Sequence, residues 1–138
     1  MIDQYAAVRG NVYAVASLGM RRYLSAVKYS RMVIGNSSSG IIEAPSFQVP
    51  TVNIGDRQRG RTAAESVIHC EAERGDIRKA MEEAAAMKER LKKEPVHNPY
   101  EAEGTSRKIA AVCKDFLLHD RIYLKKTFYD LHGKTVQE

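Results

Sequence analysis

Apolar and polar positions along the chain follow two alternating periods. Ile2, Tyr5 and Val8 are spaced for one helical face and predict a short helix over residues 1–8. Gly10-Asn11 would stop it, glycine being the usual residue just past a helix end. Val12-Tyr13-Ala14-Val15-Ala16 reads as a strand. Residues 18–29 read as an amphipathic helix, with Met20, Leu24 and Val27 inward and Arg21, Arg22 and Lys28 in water. Met32-Val33-Ile34 is wholly apolar, as expected of a strand buried on both faces of a parallel sheet. A polar turn, a short helix over 41–47 and strands over 49–54 and 66–69 follow. Residues 76–92 predict the longest helix, with Ile77, Ala80, Met81, Ala84, Ala85 and Leu91 as its apolar positions. Thr105 or Ser106 can cap a last helix bearing Ile109, Val112, Cys113, Phe116 and Leu117.

Strands that alternate with helices define the α/β class, here a Rossmann-like parallel sheet with flanking helices. Residues 1–120 are expected to form the domain. Residues 121–138, which mix Tyr123, Leu124, Phe128, Tyr129 and Leu131 with lysines, form a tail that packs on the domain or on a partner. The four expected strands are fewer than the average sheet of about five to six, and a helix precedes them where a doubly wound domain opens on a strand. The sheet is therefore expected to lack its first strand. An uncovered edge of that kind invites pairing with another copy, so a homo-oligomer is expected.

At 138 residues, one domain of ordinary size is implied, long enough for a core of its own. No apolar run approaches the ~18–20 residues needed to span a bilayer, and Met1-Ile2-Asp3-Gln4 does not open a secretory leader. No membrane association is expected. Two cysteines, Cys70 and Cys113, suit neither a disulfide framework nor a structural zinc site, so a reducing cytoplasmic setting and no metal are expected. The net charge of +5, from 22 Lys and Arg against 17 Asp and Glu, favours anionic partners in general. Nucleic acid is not expected, because the basic residues are scattered and stacking aromatics are few.

Chemistry concentrates in one turn. Gly35-Asn36-Ser37-Ser38-Ser39-Gly40-Ile41-Ile42-Glu43 sits between an expected buried strand and a helix start, where ligands of open α/β sheets bind. Free backbone N–H groups and the positive end of the helix dipole favour an anion there, and the glycines permit a close approach. Glu43 admits two readings. With Gly40 as the N-cap it is a third-position acid that merely complements the dipole. Alternatively its carboxylate, an acceptor-only group, takes both hydroxyls of a ribose diol. A second cluster, Arg57-Gln58-Arg59-Gly60-Arg61, follows the next strand and places three arginines beside that turn, as a phosphate clamp or as a solvated loop.

The stretch from Gly35 through Phe47, and that from Val49 through Arg61, resemble the hydrolysing UDP-N-acetylglucosamine 2-epimerases of the sialic-acid-pathway type. The likeness extends to Ala16-Ser17-Leu18-Gly19 and Tyr23-Leu24 upstream, and through Ser66-Val67-Ile68 to Asn98-Pro99-Tyr100 downstream. It implies the C-terminal, UDP-holding half of a two-domain GT-B fold. Ser37 and Ser38, with Ser39 and Gly40, would hold the diphosphate; Glu43 would hold the ribose, Arg57 would line the site, and the loop at Ser17 and Leu18 would meet the uracil. Family members are more than twice as long and carry their catalytic carboxylates and a key histidine in the preceding part. The resemblance therefore implies UDP or UDP-GlcNAc as ligand, the missing N-terminal half as partner, no cofactor, and no catalytic residue among His69, His97, His119 and His132. The chain alone is expected to be inactive. The alternatives are the donor-binding half of a GT-B glycosyltransferase and a non-catalytic nucleotide-sugar-binding module.

Overall fold

The computed structural model describes residues 1–119. The expected tail over 121–138, and His132 with it, lies outside the described residues. The chain divides into two compact units, Met1–Glu101 and Ala102–Glu138. Elements of the first unit are, in order, α1 (Ile2–Ala7), α2 (Gly19–Tyr29), β1 (Val33–Gly35), α3 (Ser39–Ile42), a 3-10 turn (Ala44–Phe47), β2 (Thr51–Ile54), β3 (Val67–Cys70) and α4 (Arg74–Leu91). In the second unit, Ile109, Val112, Phe116 and Leu117 of α5 (Thr105–His119) are exposed. None of the described helices is long and apolar enough to cross a membrane.

The three strands form one parallel sheet in the order β1-β2-β3, as the α/β reading requires. Val33 pairs with Thr51 and Gly35 with Asn53; Asn53 in turn pairs with His69. Because the strands run parallel, the segments that leave β1 and β2 emerge at the same edge of the sheet. That register brings the serine turn and the arginine loop together.

Side-chain alternation gives β2 two different faces. Val52 is fully buried with Ala80 and Ala84 of α4, and Met32, Ile54, Ile68 and Cys70 pack around them. The small alanines let α4 lie close on the sheet, and the helix ends with Leu91 buried. Thr51 and Asn53 point to the other face. There the Thr51 hydroxyl donates to the Gly40 carbonyl at 2.8 Å. A Cβ on Gly40 would stand 2.5 Å from the Thr51 methyl, so only glycine lets α3 approach β2 this closely.

Three expectations are corrected. Met32-Val33-Ile34 is not buried on both faces: Val33 is half-buried and Ile34 is 45% exposed, β1 being an outer strand of the described sheet. Residues 12–16 are not a strand: they carry no ladder, and Tyr13 and Val15 are 84% and 57% exposed. A strand needs a neighbour to bond, and none of the described strands lies beside this segment. Three strands are therefore described, not four. In α2, Val27 is buried as expected, but Met20 is 78% exposed and no part of the inward stripe. It lies in the first turn of the helix, two turns away from the buried Val27.

The contact between α3 and β2 yields a stability prediction. Gly40→Ala must push Thr51 or the α3 backbone aside, and overpacking of this kind costs about 1–3 kcal/mol. Thermal unfolding of the variant should show a midpoint lowered by several degrees. An unchanged midpoint would mean that the α3–β2 contact relaxes freely.

Candidate functional site

At the carboxyl end of β1 the chain turns sharply at Gly35, whose φ of 147° favours glycine over residues with side chains. Asn36 and Ser37 follow as an irregular step, and Ser38 is the N-cap of α3. The sequence reading offered Gly40 for that role. The structure instead buries Gly40 on Thr51, where its backbone N–H donates to the Ser37 carbonyl. Its lack of a side chain thus has a packing cause. The first turn is closed by Ile41 and Ile42 N–H groups on Ser38 O and by Glu43 N–H on Ser39 O.

Which donors remain open follows from counting. The Ser39 N–H turns to the Ser37 hydroxyl at 3.3 Å, while the Ser37 and Ser38 N–H groups meet no acceptor among the described residues. Ser37 is exposed and Ser38 half-buried, so both donors are open at the edge of the sheet. The Ser39 hydroxyl is engaged by the Tyr23 hydroxyl at 2.6 Å. That bond ties α2 to the turn. Tyr23 also borders a concavity of about 440 Å³ lined by residues 15–20, which include Ser17 and Leu18.

Glu43 follows α3 and is half-buried. Its Oε2 is buried and has no hydrogen-bond partner. Buried carboxylate oxygens are normally satisfied, and leaving one bare costs about 1–3 kcal/mol or more. Two other buried side-chain atoms are unpartnered, Asn53 Oδ1 and Ser66 Oγ. Glu43 alone of the three belongs to the segment that starts at the serine turn. At 1.5 Å per residue, five residues place it about 7.5 Å along from Ser38.

The three arginines do not act together. Arg57 reaches the turn, its Nη1 donating to the Asn36 carbonyl at 3.4 Å. Arg59 pairs with Glu71 at 3.6 Å, with both side chains well exposed. Arg59 and Arg61 line a different cavity, about 520 Å³, together with Cys70, Glu71 and Asp76. Only the first of the three therefore serves the serine turn.

Two buried amides that the sequence reading gave no role are central here. Gln58, 4% exposed, donates from Nε2 to the Asn36 carbonyl at 2.8 Å. Asn98, also 4% exposed, donates from Nδ2 to Ile42 O at 2.8 Å and to the Ser46 hydroxyl at 2.7 Å. Its own Oδ1 accepts the Tyr100 N–H. Asn98 thus braces the carbonyl next to Glu43. The motifs Arg57-Gln58-Arg59 and Asn98-Pro99-Tyr100 pointed at these positions, but not at what they bond. His69 serves the sheet, its Nδ1 lying 3.0 Å from the Asn53 side-chain amide. No metal-binding cluster of His, Cys, Asp or Glu occurs among the described residues.

Cys70 lies on the arginine-lined cavity, and burial, then the nearby Asp76 and Glu71 carboxylates, push its thiol above the usual range. A raised pKa leaves less thiolate at neutral pH, and thiolate is the reactive form. Cys113 on α5 is exposed. Alkylation followed by peptide mass mapping at pH 8 should therefore label Cys70 more slowly than Cys113. The Cys70 rate should climb further as the pH rises past 9. Equal rates at pH 8 would contradict this electrostatic picture of the cavity.

Comparison with known proteins adds to this geometry. The family described as UDP-N-acetylglucosamine 2-epimerase matches residues 1–114. A polysialic acid biosynthesis protein of Escherichia coli is 39% identical over 116 residues, 83% of this chain and 29% of that protein. A GDP/UDP-N,N'-diacetylbacillosamine 2-epimerase (hydrolyzing) of Campylobacter jejuni is 47% identical over 66 residues, 48% of this chain and 17% of that protein. A UDP-N-acetylglucosamine 2-epimerase of Neisseria meningitidis is 35% identical over 74 residues, 54% of this chain and 20% of that protein. The matched region is thus less than a third of the length of these relatives.

Proposed function

Because the chain belongs to the UDP-N-acetylglucosamine 2-epimerase family, we propose that it supplies the UDP-holding part of a hydrolysing epimerase. The observation that carries this reading is the bare, buried Glu43 Oε2 at the far end of the short helix that begins at two open backbone donors. In this reading the diphosphate lies on the Ser37 and Ser38 N–H groups at the start of α3. Arg57 adds positive charge beside it, and the hydroxyls of Ser38 and Ser39 add neutral donors. Glu43 accepts the two ribose hydroxyls, which satisfies its buried oxygen. The loop at Ser17 and Leu18 receives the uracil.

The chemistry assigned to such an enzyme removes a proton beside the anomeric carbon of UDP-GlcNAc and expels UDP. Water then adds to the resulting glycal to give ManNAc. As the bond to UDP breaks, negative charge grows on the departing diphosphate. Fixed N–H donors and an arginine at that position stabilise the charge without reorganising, which is where this part of the fold assists the reaction. The proton transfer needs a base within hydrogen-bond reach of the sugar carbon. We assign that base to the further length that the relatives carry beyond the match, a setting we place in the cytoplasm. The 138-residue chain alone should then bind UDP and release no ManNAc from UDP-GlcNAc.

Glu43→Ala tests the site directly. Loss of hydrogen bonding to a charged group costs about 1.5–3 kcal/mol, so UDP affinity measured by calorimetry should fall by roughly 10- to 150-fold. UDP affinity equal to that of the unsubstituted chain would remove Glu43 from the site.

A further inference from the structure

One of the two open donors of the serine turn lies in a peptide that is held from outside the turn. A trans peptide is planar, so the carbonyl of one residue and the N–H of the next point in opposite directions. The Asn36 carbonyl is drawn toward the arginine loop by Gln58 Nε2 at 2.8 Å and, more loosely, by Arg57 Nη1 at 3.4 Å. The Ser37 N–H is in the same peptide plane and must therefore point away from that loop. It meets no protein acceptor among the described residues.

The two donors to Asn36 differ in kind. Arg57 is exposed and its bond is long, so water can replace it. Gln58 is 4% exposed and its bond is short. Around it the loop is tied back by the Arg59 N–H on Asp56 O and the Arg61 N–H on Gln58 O. Its base is fixed by the Gly55 N–H on Cys70 O at 2.8 Å, which anchors the loop to β3. The side chain is thus held at its root and at its tip.

We propose that Gln58 is a positioning residue for the anion turn: by holding the Asn36 carbonyl inward it aims the Ser37 N–H at the diphosphate. It touches no ligand itself. This inference rests on the nucleotide reading above and adds to it the source of the turn's orientation. A neutral amide suits the task. It holds the Asn36 carbonyl without adding charge, so the charge facing the phosphate is left to Arg57.

The test is an amide-resolved NMR titration of the 138-residue chain, unsubstituted and as Gln58→Met and Gln58→Glu, with UDP and with uridine. Methionine keeps the volume and removes the donor; glutamate turns a carboxylate on the carbonyl. Loss of a positioning bond should weaken UDP binding by about tenfold or more while uridine binding stays within about twofold. The Ser37 amide resonance should move in the ligand-free variants more than those of Gly40 and Ile41. Equal loss of both ligands would mark a merely structural role and overturn the proposal. So would UDP binding by Gln58→Met at the unsubstituted affinity, and either result would leave the nucleotide reading intact. Failure of the unsubstituted chain to bind UDP would instead overturn that reading and this inference with it.

Discussion

The close seating of α3 on β2 is the constraint from which the rest follows. Gly40 presents no side chain, Thr51 fills the space, and the Thr51 hydroxyl holds the Gly40 carbonyl. With the helix pinned there, the residues before it have no freedom to continue β1 and must turn at Gly35. Their N–H groups cannot join the ladder, since the strand has ended, and cannot join the helix, since it has not yet begun. Open donors at this spot are therefore a geometric consequence of a short helix pressed against a parallel sheet.

The same constraint fixes the far end of the segment. A four-residue helix with Pro45 just beyond it cannot propagate, and the chain leaves through a 3-10 turn into Gln48, whose φ of 54° reverses its direction. Such a segment has little stability of its own. It is held to a distant part of the sequence: Asn98 donates to Ile42 O and Ser46 Oγ, and the Gln48 side-chain amide bonds both the carbonyl and the N–H of Val96. Glu43 lies between the pinned start and the braced end. Its position is thus determined by groups that make no contact with a ligand, and a buried carboxylate oxygen can be kept bare there because its neighbours cannot rearrange to meet it.

Much of this was legible in the sequence. The apolar runs at Val33 and Val52 announced parallel strands, of which β2 alone is buried as expected while Ile34 of β1 stays exposed, and the apolar positions of α4 announced a helix packed on the sheet. The serine turn was visible because glycine, serine and a following apolar stretch have few other uses between a strand and a helix. What escaped was whatever depends on a partner rather than on the local pattern. Residues 12–16 have strand composition, but a strand is defined by its neighbour, and these residues stay exposed. The reach of Arg59 and Arg61 toward Glu71 and the cavity on α4 could not be told from that of Arg57, since all three lie in one loop. Gln58 and Asn98 stood inside recognisable motifs, yet their partners lie 22 and 56 residues away. No periodicity encodes a contact at that distance.

The central claim is that the serine turn and Glu43 together hold one nucleoside diphosphate. A crystal structure of this chain soaked with UDP tests it most directly. The account predicts phosphate oxygens within hydrogen-bond distance of the Ser37 and Ser38 amides and both ribose hydroxyls on the Glu43 carboxylate. UDP seated instead in the cavity beside Arg59 and Arg61, with the turn empty and open to solvent, would contradict it.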